Sequence, residues 1–393
     1  MLIMLMLILS GQVSSAGYNS CSFYIVAHQD DWQLFMGRDA WSDMVMPGRK
    51  VVIIYLTAGD ACSGTGTCGS GVPYYVSRES GAKASVFAAK GEPTASTKLE
   101  PSSFNAVVWA GNHPVARWEY QNVVQYFFRL PDGRIHFKET SGSDCGLDLH
   151  DSTYLNFFRR GLIKKLSDIQ GNAVYQGWSD LTRCILTLVT REMAASGNCI
   201  HTHEYSPILN RMTHSDHRET GLLAAAVGNQ LPEVEIFYHV DYFTAEMVEN
   251  LSVQEKNQES ILFAAYNKKK TALGCPSDWS EAVIPWCSAN YISRMVPGRV
   301  TSGEKPAGIA IFTGLQPNPS MGNTLLSLNL QEDEVVSCAI YDLRGEQVCN
   351  LLNKAALKKG TYRYPIGKLP AGIYILRLQT RSGCLLCEKV VFN

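Results

Sequence analysis

Two short apolar runs in this chain stop abruptly in polar clusters. Residues 23–27 read FYIVA and pass straight into His28-Gln29-Asp30-Asp31. Residues 51–56 read VVIIYL and pass into Thr57-Ala58-Gly59-Asp60. A short run that is apolar at every position, not at alternate ones, is a strand buried on both faces. Such strands need helices on both sides of their sheet, and the sequence supplies helical stretches between them. Residues 77–90 are helical in character and stop at Gly91. Helices are also expected over 157–169, 181–193 and 215–227, and Ser252-Val253-Gln254-Glu255 reads as a capping box opening a helix to about Lys269. Residues 106–109 and 235–239 add strand candidates, the first of them expected to be buried. The alternation predicts an α/β domain over residues 17–300, with a Rossmann-like, mostly parallel sheet and helices on both faces. In such sheets chemistry gathers beyond the carboxyl ends of the strands, which is where both polar clusters fall.

Composition narrows the function classes. At 46% hydrophobic and 18% charged residues, the chain has ample material for a packed core. Lys plus Arg number 35 against 36 Asp plus Glu, a formal net charge of −1. That balance argues against non-specific nucleic-acid binding, which needs an excess of cations. Beyond the first ten residues no apolar run is long enough to span a bilayer, so no transmembrane span is expected in the mature chain.

The ends speak of export. Residues 1–10, MLIMLMLILS, suit the core of a secretory signal, and Ser14-Ser15-Ala16 offers small residues for cleavage, so residues 1–16 are expected to be a signal peptide. Twelve cysteines, an even number, fit an oxidising compartment. Cys62 with Cys68, Cys184 with Cys199, Cys275 with Cys287, Cys338 with Cys349 and Cys384 with Cys387 are the close pairs, and several of these are expected to bridge. From Leu315 onward, short β-rich runs alternate with Asn, Pro and Gly turns, the pattern of a small all-β sandwich. Pro317-Asn318-Pro319, Tyr341-Asp342-Leu343-Arg344-Gly345, Leu369-Pro370-Ala371-Gly372-Ile373-Tyr374 and Lys389-Val390-Val391 follow in order. This combination resembles the C-terminal sorting domain of type IX secretion substrates, over residues 315–393 with 301–314 as linker. The resemblance implies the type IX secretion machinery as a partner. It also implies export through the periplasm of a Gram-negative bacterium, to be released or held at the cell surface.

The chemistry-bearing residues lie in two clusters. His28 and Asp31, three apart in a turn leaving a strand, supply half of a zinc site and leave Asp30 free. Later comes Thr213-His214-Ser215-Asp216-His217-Arg218-Glu219, where Ser215 or Asp216 can start a helix and His214 and His217 can face one site. One histidine supplies a third ligand and the other meets the substrate; three protein ligands with an open position make a catalytic centre. The pair of motifs, AHQDD and HSDH, with Thr57-Ala58-Gly59-Asp60 and Arg78-Glu79 between them, resembles the PIG-L/LmbE family of zinc-dependent de-N-acetylases over about residues 20–250. The resemblance implies that His28, Asp31 and His217 hold Zn2+. It makes Asp30 the general base toward the attacking water and His214 the stabiliser of the oxyanion. Arg78 and Asp60 are expected at the substrate, although a surface ion pair between Arg78 and Glu219 is an equal alternative for the arginine. Asp216 either orients His214 or caps the helix. Gln29 stands where the family often has Pro. Residues 120–150 read as an added hairpin near the site.

The function expected is removal of an acetyl group from the amide nitrogen of an N-acetylglucosamine-type sugar or glycoconjugate. The alternatives are a metal-dependent O-deacetylase, or a catalytically silent cell-surface glycan-binding protein. Other features carry less. Gly64 to Gly69 match G-x-G-x-x-G but begin several residues after the strand, not at its end. His201 and His203 can face one way on a strand, as a second metal pair or, more simply, as half-exposed strand positions or groups behind the first centre, with His203 and Glu204 at the rim. His239 reads as a satisfied core or rim histidine. Trp178, Tyr205 and Tyr242 are either sugar-stacking surfaces or core.

Overall fold

The computed structural model describes residues 17–60, 67–92, 103–133, 153–279, 283, 285–298, 310–316, 324–330, 333–342, 346–380 and 385–392. The expected signal peptide and the G-x-G-x-x-G loop up to Gly66 lie outside these residues, as do Cys62 and Cys384.

In chain order the main unit runs β1 (Ser20–Val26), α1 (Asp31–Phe35), α2 (Gly37–Val45), β2 (Arg49–Thr57), α3 (Tyr74–Ala89), β3 (Phe104–Ala110), β4 (His113–Tyr120) and β5 (Val123–Leu130). It continues through α4 (Tyr154–Arg159), β6 (Leu166–Ser167), β7 (Val174–Tyr175), α5 (Trp178–Glu192), β8 (Asn198–His203), α6 (Ser215–Gly228), β9 (Glu235–His239), α7 (Val253–Ala272) and β10 (Ile292–Val296). Eight strands form one mixed sheet in the order β10-β9-β8-β1-β2-β5-β4-β3. The five central strands, β9 to β5, are parallel; β10, β4 and β3 pair antiparallel at the edges. The domain is therefore α/β, with a sheet more mixed than the expected mostly parallel one.

Period-2 alternation divides the buried strands between two cores. Phe23 and Ile25 of β1, with Val52, Ile54 and Leu56 of β2, face a core shared with α5 and α6. Tyr24 and Val26, with Val51, Ile53 and Tyr55, face the core under α1, α3 and α7. Full burial of each such side chain contributes roughly 1.5–3 kcal/mol, which is why these runs tolerate no polar residue until the strand ends. The chain goes from β1 to β2 on one side and returns to place β8 on the other. The order reverses between β1 and β8, and the carboxyl ends beside such a reversal are where sheets of this kind hold ligands.

Three local expectations are corrected. The helix expected over 157–169 is only α4, which ends at Arg159 before Gly161 at φ 70°. Leu166–Ser167 is then a strand paired with β7. The strand at 106–109 exists, but β3 is an exposed antiparallel edge, with Val107 and Trp109 65% and 61% accessible. Apolar content alone does not say whether a strand sits at the centre or the edge. Residues 123–130 are not an added hairpin; they are β5, paired parallel with β2 inside the main sheet. Their hairpin partner β4 precedes them, and residues 134–152 lie outside the described residues.

The cysteine pairing also differs. Cys68 bridges Cys275, 207 residues away, tying the loop after β2 to the end of α7. Cys184, Cys199, Cys287, Cys338 and Cys349 are free. Nearness in sequence failed as a guide because Cys184 lies on α5 and Cys199 on β8, elements whose axes separate residues only fifteen positions apart.

The C-terminal unit is all β: β11 (Ala310–Gln316), β12 (Thr324–Leu330), β13 (Glu334–Tyr341), β14 (Gln347–Leu357), β15 (Gly360–Ile366), β16 (Gly372–Thr380) and β17 (Leu385–Phe392). They form sheets β11-β12-β15 and β14-β13-β16-β17. Leu326, Leu328, Val336, Ile340, Leu376, Val390 and Phe392 fill the core between them. Strand β11 begins inside the stretch expected to be linker. Among the described residues, no helix is long and apolar enough to cross a membrane.

Candidate metal centre

The polar clusters converge at the reversal point. β1 delivers His28 and Asp31, β8 delivers His203, and the N-terminus of α6 delivers His214 and His217. Gly221 lets α6 approach β8 this closely, since a Cβ there would lie 2.3 Å from the His203 carbonyl oxygen. His28 Nδ1, Asp31 Oδ1 and His217 Nε2 form a triangle with sides of 3.3, 3.0 and 3.2 Å. Zinc–ligand bonds of about 2.0–2.1 Å at the tetrahedral angle place neighbouring donor atoms about 3.3–3.4 Å apart. The three donors thus fit one face of a tetrahedral divalent cation.

Each member is held from behind. His28 Nε2 lies 2.9 Å from Asp132 Oδ1, His217 Nδ1 lies 2.9 Å from Asp241 Oδ2, and His203 Nε2 lies 3.0 Å from Asp31 Oδ2. A carboxylate on the far nitrogen fixes the ring and raises its basicity as a ligand. Asp241 in turn accepts from Asn210 Nδ2, Thr213 Oγ1 and the Tyr242 N–H. Other histidine–carboxylate groupings here, His203 with His217 and Asp241, and His28 with Asp132, His214 and Asp216, are built on these rear contacts.

Three buried carboxylates surround two imidazoles, and the charges follow. Burial opposes ionisation of Asp31, but His217, His28 and His203 hold it well below the usual carboxylate range. Burial likewise opposes protonation of His217, yet Asp31 and Asp241 push it up to about 9. Asp132 and Asp31 raise His28 in the same way against its burial. The bare site collects protons on its histidines, and a divalent cation would replace that positive charge.

Asp30 sits at the N-cap of α1 and is the more exposed of the motif's two aspartates, its side chain 17% accessible. Its Oδ1 is paired with the Arg78 guanidinium, which also donates to the Gly59 carbonyl (3.0 Å) and the Tyr266 hydroxyl (2.8 Å). Arg78 therefore engages Asp30 and not Glu219, whose carboxylate pairs with Arg159 and Asn156. Gly59, at φ 59°, is required: a Cβ would lie 2.2 Å from Gln29 Oε1 and 2.9 Å from Arg78 Nη1. Gln29 donates to the Thr57 carbonyl, so it ties the ends of β1 and β2 together by hydrogen bonding.

His214 is itself the N-cap of α6, its Nδ1 accepting the Asp216 N–H at 3.1 Å. That contact leaves the ring proton on Nε2. Burial, with His28 and His217 beside it, lowers His214 to about 3, so it is a neutral donor at pH 7. Asp216 does not cap the helix; it accepts the Gly133 N–H, and burial with Asp132 nearby pushes it up to about 8. Asp60 accepts the Asp132 N–H at 3.0 Å and so fixes the turn that brings Asp132 to His28. Burial and the neighbouring Asp132 raise Asp60 to about 6, against the hydrogen bond it accepts.

Asp132 and Asp241 escaped sequence reasoning. Each is a lone carboxylate just past a strand, and the only available signal was that position, after β5 and β9. His203 and Glu204 are not at the rim: both are fully buried, His203 behind Asp31 and Glu204 locked by Arg294 and Ser293. Tyr242 forms a wall of the site, its ring 5.1 Å from that of His217 and 5.1 Å from that of Trp286. Trp178 packs against Phe158 and Tyr205 against Tyr238.

No curated protein matches this chain. Among solved structures, CopC from Methylosinus trichosporium OB3b is 17% identical, with 21% of this chain and 91% of that one covered, at a TM-score of 0.17. An engineered protein is 10% identical, with 97% and 94% covered, also at a TM-score of 0.17. Neither likeness is close enough to inform the fold. Residues 315–393 match the family described as the secretion system C-terminal sorting domain, which marks the chain as a secreted or cell-surface protein that engages the type IX secretion machinery.

Proposed function

We propose that residues 17–300 form a metal-dependent hydrolase, Rossmann-like in fold. In this reading it removes the acetyl group from the amide nitrogen of an N-acetylglucosamine-type sugar or glycoconjugate. The observation that carries the reading is the triangle of His28 Nδ1, Asp31 Oδ1 and His217 Nε2, spaced for one divalent cation and buttressed on every side. Zinc bound there would supply Lewis acidity toward a carbonyl and bring the pKa of a water to about 7.

The chain's own groups supply the rest. Asp30, fixed by Arg78, takes a proton from the attacking water as its oxygen adds to the amide carbon. His214 presents Nε2–H to the oxygen that gains negative charge, and its neutral state makes it a donor that keeps its proton. When the carbon–nitrogen bond breaks, Asp30 returns the proton to the departing amine, leaving acetate and a free amino sugar. Tyr242 and Trp286 offer aromatic surface beside the site for a sugar face. The export route is the periplasm of a Gram-negative bacterium, with the C-terminal unit read by the type IX machinery.

The test is acetate release from a panel of N-acetylglucosamine-containing glycans, with matched O-acetyl esters, with and without a chelator. Chelator-sensitive release from amides is expected. Release from esters alone would replace the reading with an O-deacetylase. A chain that binds no metal and releases nothing would sink the hydrolase.

A further inference from the structure

On the sheet face that carries His203, a second group of ligand-type side chains spans the adjacent strands β8 and β9. His201 Nδ1 and His239 Nε2 face each other at 3.0 Å from adjacent strands. Asp39 Oδ2, on α2, lies 4.0 Å from His239 Nε2, and one donor atom from each of the three residues falls within 4.8 Å of the others. We propose that Asp39, His201 and His239 form a second cation site, for a divalent ion that takes imidazole nitrogen, such as zinc, nickel or copper(II).

The rings are held as ligands are held. His201 is stacked between Tyr24 (4.6 Å, 11°) and Phe237 (4.9 Å, 14°), which fixes its plane. His239 Nδ1 lies 3.2 Å from Asn290 Oδ1, the outer partner that sets the tautomer and leaves Nε2 with its lone pair facing His201. His201 Nε2 has Cys199 Sγ at 3.6 Å and Asp43 Oδ2 at 3.9 Å behind it. Without a cation the two rings share one proton across the 3.0 Å gap. A cation takes the gap once that proton moves to His201 Nε2, the nitrogen facing Cys199 Sγ and Asp43 Oδ2, and 3.0 Å is close to the spacing of adjacent donors around an ion with bonds of about 2.1 Å. Arg38 forks onto Asp39 at 3.0 and 3.2 Å, and each carboxylate oxygen keeps a further lone pair.

Access and charge support the site. Asp39 and His201 line a cleft of about 460 Å³ that also bears Asp43, Glu233 and Glu235 against the single cation Arg49. The cleft admits an ion and the waters that complete its shell. Burial lowers His201 to about 4 and His239 to about 3, so neither ring must first lose a charge to bind. The site shares no residue with the first centre and stands whether or not the hydrolase reading does.

Zinc alone, titrated by calorimetry into the chelator-stripped full chain, tests this. Two equivalents are expected for the wild type and one each for His217→Ala and His239→Gln. The double variant is expected to bind none. Asp39→Asn should weaken one equivalent tenfold or more and leave the other within twofold; it decides the matter if His239→Gln fails to fold. A wild type whose stoichiometry and affinities survive both His239→Gln and Asp39→Asn overturns the proposal. So does a wild type that binds nothing, or a single equivalent that His217→Ala abolishes. A single equivalent kept by His217→Ala and lost by His239→Gln supports this site and removes the first.

Discussion

At the carboxyl ends of the main sheet this protein buries charge, whereas in the C-terminal sandwich it buries hydrocarbon. Asp31, Asp132, Asp241, His28 and His217 are all under 9% accessible and lie within hydrogen-bond reach of one another. The sandwich core is Leu326, Leu328, Ile340, Leu376 and their like, and an ion pair of this unit, Lys358 with Asp333, is on the surface. Buried charge costs stability unless it is paired, so a chain keeps it where the groups have work to do. An apolar sandwich has no such cost and offers instead a stable, chemically quiet shape. On the proposed reading, the contrast puts chemistry in one unit and recognition in the other.

The largest effect should come from removing the base while sparing the ligands. Asp30→Asn is expected to lower the rate of acetate release about 10²–10⁴-fold. Metal content, measured on the same sample, should stay at the wild-type value because Asp30 is outside the ligand triangle. An equally active variant would take the base role away from Asp30.

Next in size is the support behind the ligands. Asp241→Asn keeps the shape but removes the charge behind His217 and is expected to weaken metal binding about 10–100-fold. Competition against a chelator of known affinity reads this directly. Unchanged affinity would mean that Asp241 serves only the fold.

Acidity sharpens the contrast further. In the metal-free chain His217 is raised to about 9, so below that pH a cation must displace its proton. Apparent affinity should therefore climb as pH rises from about 6 toward 9, by about tenfold per unit for each proton displaced. Binding heats in buffers of different ionisation enthalpy count those protons. A flat profile would contradict the ligand role of His217. The sandwich, lacking buried histidine among its described residues, should show no matching change.

What the sequence reveals of these two units differs for physical reasons. His28 and Asp31 are three residues apart, as are His214 and His217, so each half of the candidate site is written locally. Strand ends and helix starts then bring the halves together over 189 residues. Asp132 and Asp241 carry no such local mark; only the folded chain shows that one lies behind His28 and the other behind His217. The bridge between Cys68 and Cys275 is invisible for the same reason. Edge placement of β3 is equally hidden, because pairing partners set it and composition does not. In the sandwich, Leu326, Leu328 and Leu330 alternate with outward residues, so its strands are legible from pattern alone.

The smallest effect on chemistry should follow damage to the sandwich, although the damage itself is not small. Leu376 is fully buried in β16, and Leu376→Ala removes several methyl and methylene groups that no neighbour can replace. Such a cavity costs about 2–5 kcal/mol, enough to unfold a marginal β unit. All the residues of the metal triangle and its supports come from residues before 242, so none of them belongs to the sandwich. Acetate release by Leu376→Ala should therefore stay within about twofold of wild type, while a melt followed by tyrosine fluorescence loses the sandwich transition early. Export of the variant should fall, since the machinery would meet an unfolded tail. A loss of activity in step with the sandwich would end the division of labour, because it would make the C-terminal unit part of the catalytic one.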